Sequence, residues 1–430
     1  MTYLIIICGF LVLLLLGLPV SFTMVLVGAV ILFLQMGIDV ASIQIPQVIY
    51  NSLNSSMLVA IPSFILAGQI IIKSGIGKLA FNAADKWFGH LPGGMAIATI
   101  ICCAFFASLS GSSLATLLTF GYLASEEMIR IGYPKKFAYG LLAGTGTLGI
   151  LIPPSTPMIL YSAMTSQSAS DLFIGATFPS IIIVVLFLAY VVFMARKLPR
   201  KDKVSWDERL RSLREIVWIF LIPLVIVGGI YSGIFTVTEA AAVSCVVSMI
   251  LAVFVYRTVG FKELIDVLKA SATNTGMISM ILGGALLFGF AITLIELPQM
   301  IQTFFESINL NKWAFLAILS LMLIVLGMFM EVVSILMIIT PIMYPIMVAY
   351  GFDLVWFGIY LVVLLEIAVI TPPVGMNLFI MMQVSEKHGN KFDILRMSKA
   401  ALPYVVLMLC LVVIIAIFPG LVTWLPNLID

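Results

Sequence analysis

Of the chain's 430 residues, 62% are hydrophobic and 10% charged, with a mean hydropathy of +1.21 and a formal net charge of +2. That composition lies far outside the soluble globular range and excludes a nucleic-acid binder, leaving an all-α polytopic membrane protein with no soluble domain. The five cysteines lie in apolar runs without metal-ligand spacing and there are only two histidines, which argues against disulfides and a zinc site.

In chain order, the apolar run 3–36 exceeds a signal-peptide core and lacks a small-residue cleavage site. It is expected as one long tilted span, with Pro19 as a kink. Residues 57–72 form a second span and 76–88 an amphipathic arm. Residues 95–128 are bounded at both ends by basic segments, so both ends belong on one side and the run reads as a re-entrant hairpin turning at SLSGSS, Ser108 to Ser113. The span 137–166 carries GILIPPSTP at its middle, where two prolines break any helix, and 172–195 closes the first half.

The densest basic run, RKLPRKDKVSWDERLRSLR, holds eight Lys or Arg over residues 196–214 and is assigned to the cytoplasm. Counting outward from it places the N-terminus inside and the C-terminus outside. A linking span at 215–231 follows, then a span at 235–256, an inner segment with Arg257, Lys262 and Lys269, a span at 276–295 and an outer arm at 297–308. A second hairpin is expected at 313–349, a second broken span at 354–383 and a closing span at 402–424.

The halves repeat with opposite orientation: a first copy at 1–195, a linker at 196–232 and a second copy at 233–430. Pro153-Pro154 and Pro372-Pro373 stand 219 residues apart, as do Gly132 and Gly351. Inverted repeats with matching interrupted spans point to the binding site of a secondary transporter.

A helix broken at mid-depth offers free carbonyls to a cation and free N–H groups to an anion. Pro154 and Pro373 suit the first position of a restarting helix. Gly144 to Gly149 are expected to unwind and lend oxygens. The chemistry assigns sodium to Ser110, Gly111, Thr145, Thr147 and Gly149 in the first copy, and to Gly327, Glu331, Glu366, Thr371 and Gly375 in the second. Substrate contact falls to Ser108, Ser112, Ser155, Thr156 and Ser166, with Ser155, Ser162 and Ser166 on one face of the restarted helix.

Plainer readings stand beside these. The serine stripe serves equally as a helix-packing face, Thr156 as a local cap, Glu331 as a first-turn residue and Glu366 as a packed acid. Glu239 in FTVTEAAA reads first as helix-start chemistry. No lysine or arginine lies at mid-depth, so a carboxylate would be held by helix N-termini, hydroxyls and bound cations.

GTGTLGILIPPS, SLSGSS, FTVTEAAA and the second TPP break together resemble the large membrane subunit of tripartite ATP-independent periplasmic (TRAP) transporters over essentially the whole chain. Val237 departs from the family, which usually has proline there; the change is expected to alter only the loop before the helix. The resemblance implies a sodium-driven importer of organic acids in the bacterial inner membrane, working by an elevator motion. It also implies a small membrane subunit and a soluble periplasmic binding protein as partners, with Na⁺ as coupling ion and no other cofactor. Among family substrates, the chain looks closest to the sialic-acid branch. A stand-alone sodium/carboxylate symporter of similar fold is the alternative. An intramembrane serine protease is disfavoured, because Ser108 stands where the GxSG-like turn needs glycine and neither histidine is at membrane depth. A respiratory proton-pumping subunit would need mid-membrane lysines. No enzyme is expected.

Overall fold

The computed structural model describes residues 2–194 and 198–429, so Arg196 and Lys197 of the basic run fall outside the described residues. Among the described residues every regular element is helical. The helices are α1 (Thr2–Leu15), α2 (Val20–Leu53), α3 (Ala60–Lys73), α4 (Ile76–Phe88), α5 (Gly94–Ser110), α6 (Ser113–Arg130), α7 (Lys135–Leu151), α8 (Thr156–Thr165), α9 (Ala169–Gly175) and α10 (Thr177–Met194). After the basic run come α11 (Trp206–Ile216), α12 (Leu221–Tyr231), α13 (Val237–Val255), α14 (Phe261–Leu294), α15 (Leu297–Ser307), α16 (Lys312–Gly327), α17 (Val332–Ala349), α18 (Leu354–Ala368), α19 (Met376–Lys387) and α20 (Ile394–Ile417). Among the described residues seven stretches, two of them joining α7 to α8 and α9 to α10, are long and apolar enough to cross a membrane, or up to nine if each bent pair counts as one span.

Local chemistry explains many of the starts. The side chains of Ser112, Ser168, Ser205, Thr236, Asn311, Asp353 and Asp393 each accept a backbone N–H three residues on, which satisfies one of the four orphan donors of a new helix. At Thr236 the bond is reciprocal, because the Glu239 carboxylate accepts the Thr236 N–H at 2.9 Å. Glu239 is therefore helix-start chemistry, and Val237 simply opens α13.

α7 and α18 are apolar on all sides, and such helices belong in an interior. Residues 138–151 of α7 and 356–368 of α18 are buried without exception. Around them the restarted helix of each half packs on the hairpin of the other, α8 on α17 and α19 on α6. α2 and α14 lie along each other, and α3 packs on both α13 and α14.

Several expected boundaries move. Residues 3–36 are two helices, because Gly17 turns with φ +83° ahead of Pro19, and α2 runs on to Leu53 with a kink at Gly37. The expected linking span begins within α11, which meets α12 at a bend of 50°. α14 starts at Phe261 instead of 276, since the Glu263 carboxylate accepts the Gly260 N–H at 3.1 Å and the charged stretch after it favours helix. Asp393 starts α20 well before residue 402.

Candidate functional site

Each hairpin turn lies against the break of its own half. Gly111, at φ +58°, caps α5 in the left-handed region that favours glycine. A Cβ on it would stand 2.7 Å from the Pro154 carbonyl oxygen. On the other side of the contact, a Cβ on Gly149 would meet the Ser112 carbonyl carbon at 2.5 Å and the Ser113 nitrogen at 2.7 Å. In the second half the Gly375 N–H donates to the Met328 carbonyl at 3.3 Å. Gly327 abuts Ala368 so closely that a Cβ would collide.

These contacts gather the starts of four helices around one cavity of about 260 Å³. α6 brings Ser112 and Ser113, α8 brings Thr156, α17 brings Glu331, and α19 brings Asn377. Most of the remaining wall comes from α3 and α14, whose polar contributions are Gln69 and Asn274. No lysine or arginine lines it, and Glu331 is the one acid among the lining residues. Four helix N-termini at one space favour an anion through their dipoles, although Ser112 and Glu331 each already accept one first-turn N–H. Hydroxyls and turn carbonyls beside them supply oxygens of the kind that hold a small hard cation.

At the first turn the Ser110 hydroxyl lies 3.3 Å from the Thr116 hydroxyl and 3.5 Å from the Ser112 carbonyl, to which Thr116 donates at 2.9 Å. Ser155 is buried and donates to the Ile150 carbonyl at 2.5 Å, while Thr156 is half-buried and lines the cavity. Glu331 caps α17, accepting the Ser334 N–H at 3.2 Å, and still faces the cavity. The structure thus brings together Ser110, Gly111, Ser112, Thr156 and Glu331, with Ser155 and Gly149 directly behind them.

Other expected residues stand apart. The Ser108 hydroxyl donates back to the Phe105 carbonyl inside α5. Ser166 ends α8 at φ +57° and is exposed, while Ser162 donates to the Gln167 carbonyl, so the serine stripe leads away from the cavity. Thr145 donates to the Leu141 carbonyl and Thr147 to the Gly144 carbonyl, both within an α7 that stays helical to Leu151. The glycines of that run serve close packing instead of unwinding: a Cβ on Gly144 would stand 2.5 Å from Cγ of Tyr404.

Pro154 and Pro373 also sit outside the helices they were expected to open. α8 begins at Thr156, with Pro157 in its first turn, and α19 begins at Met376. The residue before a proline avoids the helical region, so a helix cannot run into either pair, and both pairs sit in bends between helices. Thr371 donates to the Ile367 carbonyl. Glu366 is fully buried in α18 outside the cavity, and neither of its carboxylate oxygens has a hydrogen-bond partner among the described residues.

Sequence reasoning passed over a junction between the halves. Asn377 Nδ2 donates to the Ser113 hydroxyl at 2.9 Å, joining the second break to the first turn. Asn377 stands four residues after its double proline, in the first turn of the restarted helix, which was a usable signal. Gln69 and Asn274 gave a fainter one, as amides within otherwise apolar helices.

Comparison with known proteins identifies the family. Residues 7–421 match the family model described as tripartite ATP-independent periplasmic transporter, DctM component. The chain is 40% identical over 372 residues to the C4-dicarboxylate TRAP transporter large permease protein DctM of Pseudomonas aeruginosa, covering 86% of each. It is 32% identical to the sialic acid TRAP transporter large permease protein SiaM of Vibrio cholerae, over 98% of this chain and 97% of that one. Its fold is similar to the crystal structure of the YdaH transporter of Alcanivorax borkumensis, with a TM-score of 0.63 at 13% identity over 91% of this chain and 90% of that one. The relatives are named as transporter permeases rather than enzymes, and this multi-pass membrane protein belongs to the TRAP transporter family as a large permease subunit.

Proposed function

We propose that the chain is the transport subunit of a sodium-driven importer of a small organic acid in the bacterial inner membrane, with its N-terminus cytoplasmic and its C-terminus periplasmic. A small membrane subunit and a periplasmic binding protein complete the system, and the binding protein delivers the acid. One observation carries the reading: four helix starts and two turns converge on a single cavity without a lysine or arginine. A carboxylate there is held by N–H groups and hydroxyls, with bound cations supplying the positive charge.

Ser110, Gly111, Gly149 and Thr116 are the oxygen donors proposed for one sodium ion. Glu331, Gly327, Thr371 and Gly375 are proposed for a second, with Glu366 as a reserve ligand, because a buried carboxylate is costly unless something meets it. Ser112, Thr156 and Asn377 face the acid, with Ser155 bracing the break behind them. The two hairpins and two broken helices move together as the elevator against α2, α3, α13 and α14.

The relative named for C4-dicarboxylate transport is more similar to this chain than the one named for sialic acid, and a cavity of about 260 Å³ suits a small acid. The substrate expectation therefore moves from sialic acid to a four-carbon dicarboxylate. The test is uptake into proteoliposomes holding this chain and its small partner, with labelled succinate or sialic acid, the cognate binding protein, and an inward sodium gradient present or absent. Uptake that requires both sodium and binding protein supports the reading. Uptake without the binding protein makes the chain a stand-alone symporter, and uptake indifferent to sodium removes the coupling.

A further inference from the structure

Apart from the transport cavity, an apolar pocket of about 340 Å³ opens between α4, α5 and the α11–α12 bend. Trp87, Phe88, Phe105, Leu213, Ile216 and Phe220 supply most of its wall, and the polar residues of the neighbourhood are kept out of it. Beside it the basic run is fastened down. The Lys201 N–H donates to the Gly89 carbonyl at 3.0 Å, and its ammonium bridges Asp85 at 2.7 Å and Glu127 at 2.6 Å. Trp87 Nε1 donates to the Arg209 carbonyl at 3.2 Å.

Arg209 itself is the anomaly. It is 4% exposed, yet no carboxylate lies within ion-pair distance among the described residues, and its Nε has no partner there. Its guanidinium lies over the Trp206 ring at 5.2 Å, and one Nη reaches Nδ1 of His90 at 3.2 Å. Across on α4 and α6, Asp85 and Glu127 are engaged by Lys201, and Asp207 and Glu208, neighbours of Arg209 on α11, lie beyond ion-pair distance. A buried cation without a counter-charge is expensive, and Lys203 adds positive charge near His90. Trp87 joins the two features, with its ring in the apolar wall and its N–H on Arg209. Tryptophan at such a junction of apolar and polar surroundings is the pattern of the membrane–water interface.

We propose that this is a binding site for an anionic phospholipid: one acyl chain fills the apolar pocket, and the phosphodiester meets Arg209, His90 and Lys203. It fixes the basic run to α4 and to the base of the first hairpin. A free anion would use the arginine and leave the pocket unused, and a neutral lipid would do the reverse; the juxtaposition selects a molecule with both parts.

The test is the thermal midpoint of the purified full chain in neutral detergent, titrated with phosphatidylglycerol, phosphatidylcholine or inorganic phosphate. Phosphatidylglycerol at a hundredfold excess over its Kd is expected to raise the midpoint by about 3–5 °C, and the other two much less. Arg209→Gln should abolish the difference between the two lipids. Ala84→Phe fills the pocket from α4, leaves the arginine untouched and should abolish it as well, so the proposal stays testable if the arginine variant fails to fold. Equal shifts with both lipids, a shift with phosphate alone, no shift with any of the three, or a phosphatidylglycerol effect that survives Ala84→Phe would overturn it.

Discussion

Gly149→Ala tests whether the fit between the first turn and the first break sets the site. The added methyl would stand 2.5 Å from the Ser112 carbonyl carbon and 2.7 Å from the Ser113 nitrogen, whereas ordinary contact begins at 3.4 Å. Both neighbours are backbone, so no side-chain rotation relieves the clash, and the turn must retreat by about 1 Å. Overpacking of this kind costs about 1–3 kcal/mol, and a backbone clash belongs near the top of that range. Alanine returns up to about 1 kcal/mol of helix preference, leaving a net loss of about 2 kcal/mol. Gly276→Ala is the matched control: Gly276 is also helical but has nothing within 4 Å of its would-be methyl, so the same exchange should be neutral or stabilising. The measurements are thermal midpoint in detergent and half-saturating sodium for uptake. Gly149→Ala should lower the midpoint by a few degrees and raise the sodium requirement, because Ser110 and the Ser112 carbonyl move with the turn. A Gly149→Ala protein as stable as Gly276→Ala, with unchanged sodium dependence, would falsify the account.

Three further outcomes are expected. Asn377→Ala and Ser113→Ala should each cost about 1–3 kcal/mol by orphaning the other partner, and the double variant should cost less than the sum; strict additivity in a double-mutant cycle would mean the bond carries no coupling. Glu331→Gln keeps the side chain's length but removes its charge from the cavity, so half-saturating sodium should rise several-fold while stability falls by about 1 kcal/mol or less; unchanged sodium dependence removes Glu331 from the cation site. Burial first, then Arg209 and Lys203, hold the His90 pKa below its ordinary value of 6.5. A depressed histidine contributes stability that is present above 6.5 and lost as pH falls, so proteolysis of the basic run should quicken between pH 7.5 and 5.5, and His90→Gln should flatten that response.

How much could be read beforehand depended on whether the signal was local. The first turn and both breaks were legible because a Ser-Gly turn and double prolines are incompatible with continuing a helix, whatever surrounds them. The starts of α14 and α20 were missed for the opposite reason. Lys262, Glu263, Lys269 and Arg396 mark a chain leaving the apolar layer, yet they are also good helix formers, so the helix outruns the hydropathy signal. Gly144, Gly146 and Gly149 were misread because freedom of the backbone and absence of a Cβ look identical in a sequence, and only the neighbours, Tyr404, Leu117 and Ser112, distinguish them. The same limit applied to the site. Ser110, Ser112 and Thr156 announced themselves beside their turns and breaks, whereas Ser113 and Asn377 meet across 264 residues of sequence and carry meaning only as a pair. Ser166 is not among the residues lining the cavity, because helical spacing gives the face of a residue but not its distance along the axis from the break.

The two double prolines are alike in sequence and unlike in their surroundings. Residues 153–155 are buried, whereas 372–374 are exposed. Non-helical backbone has no place against hydrocarbon, so the second break must meet water or another protein while the first is sealed. A cysteine in place of Val374 should therefore react quickly with a membrane-impermeant maleimide added from one side of a sealed vesicle, and one in place of Ser155 slowly from either. If the halves trade roles as an inverted repeat allows, turnover would reverse that contrast, and the ratio of the two labelling rates would become a clock hand for the transport cycle, readable without any substrate assay.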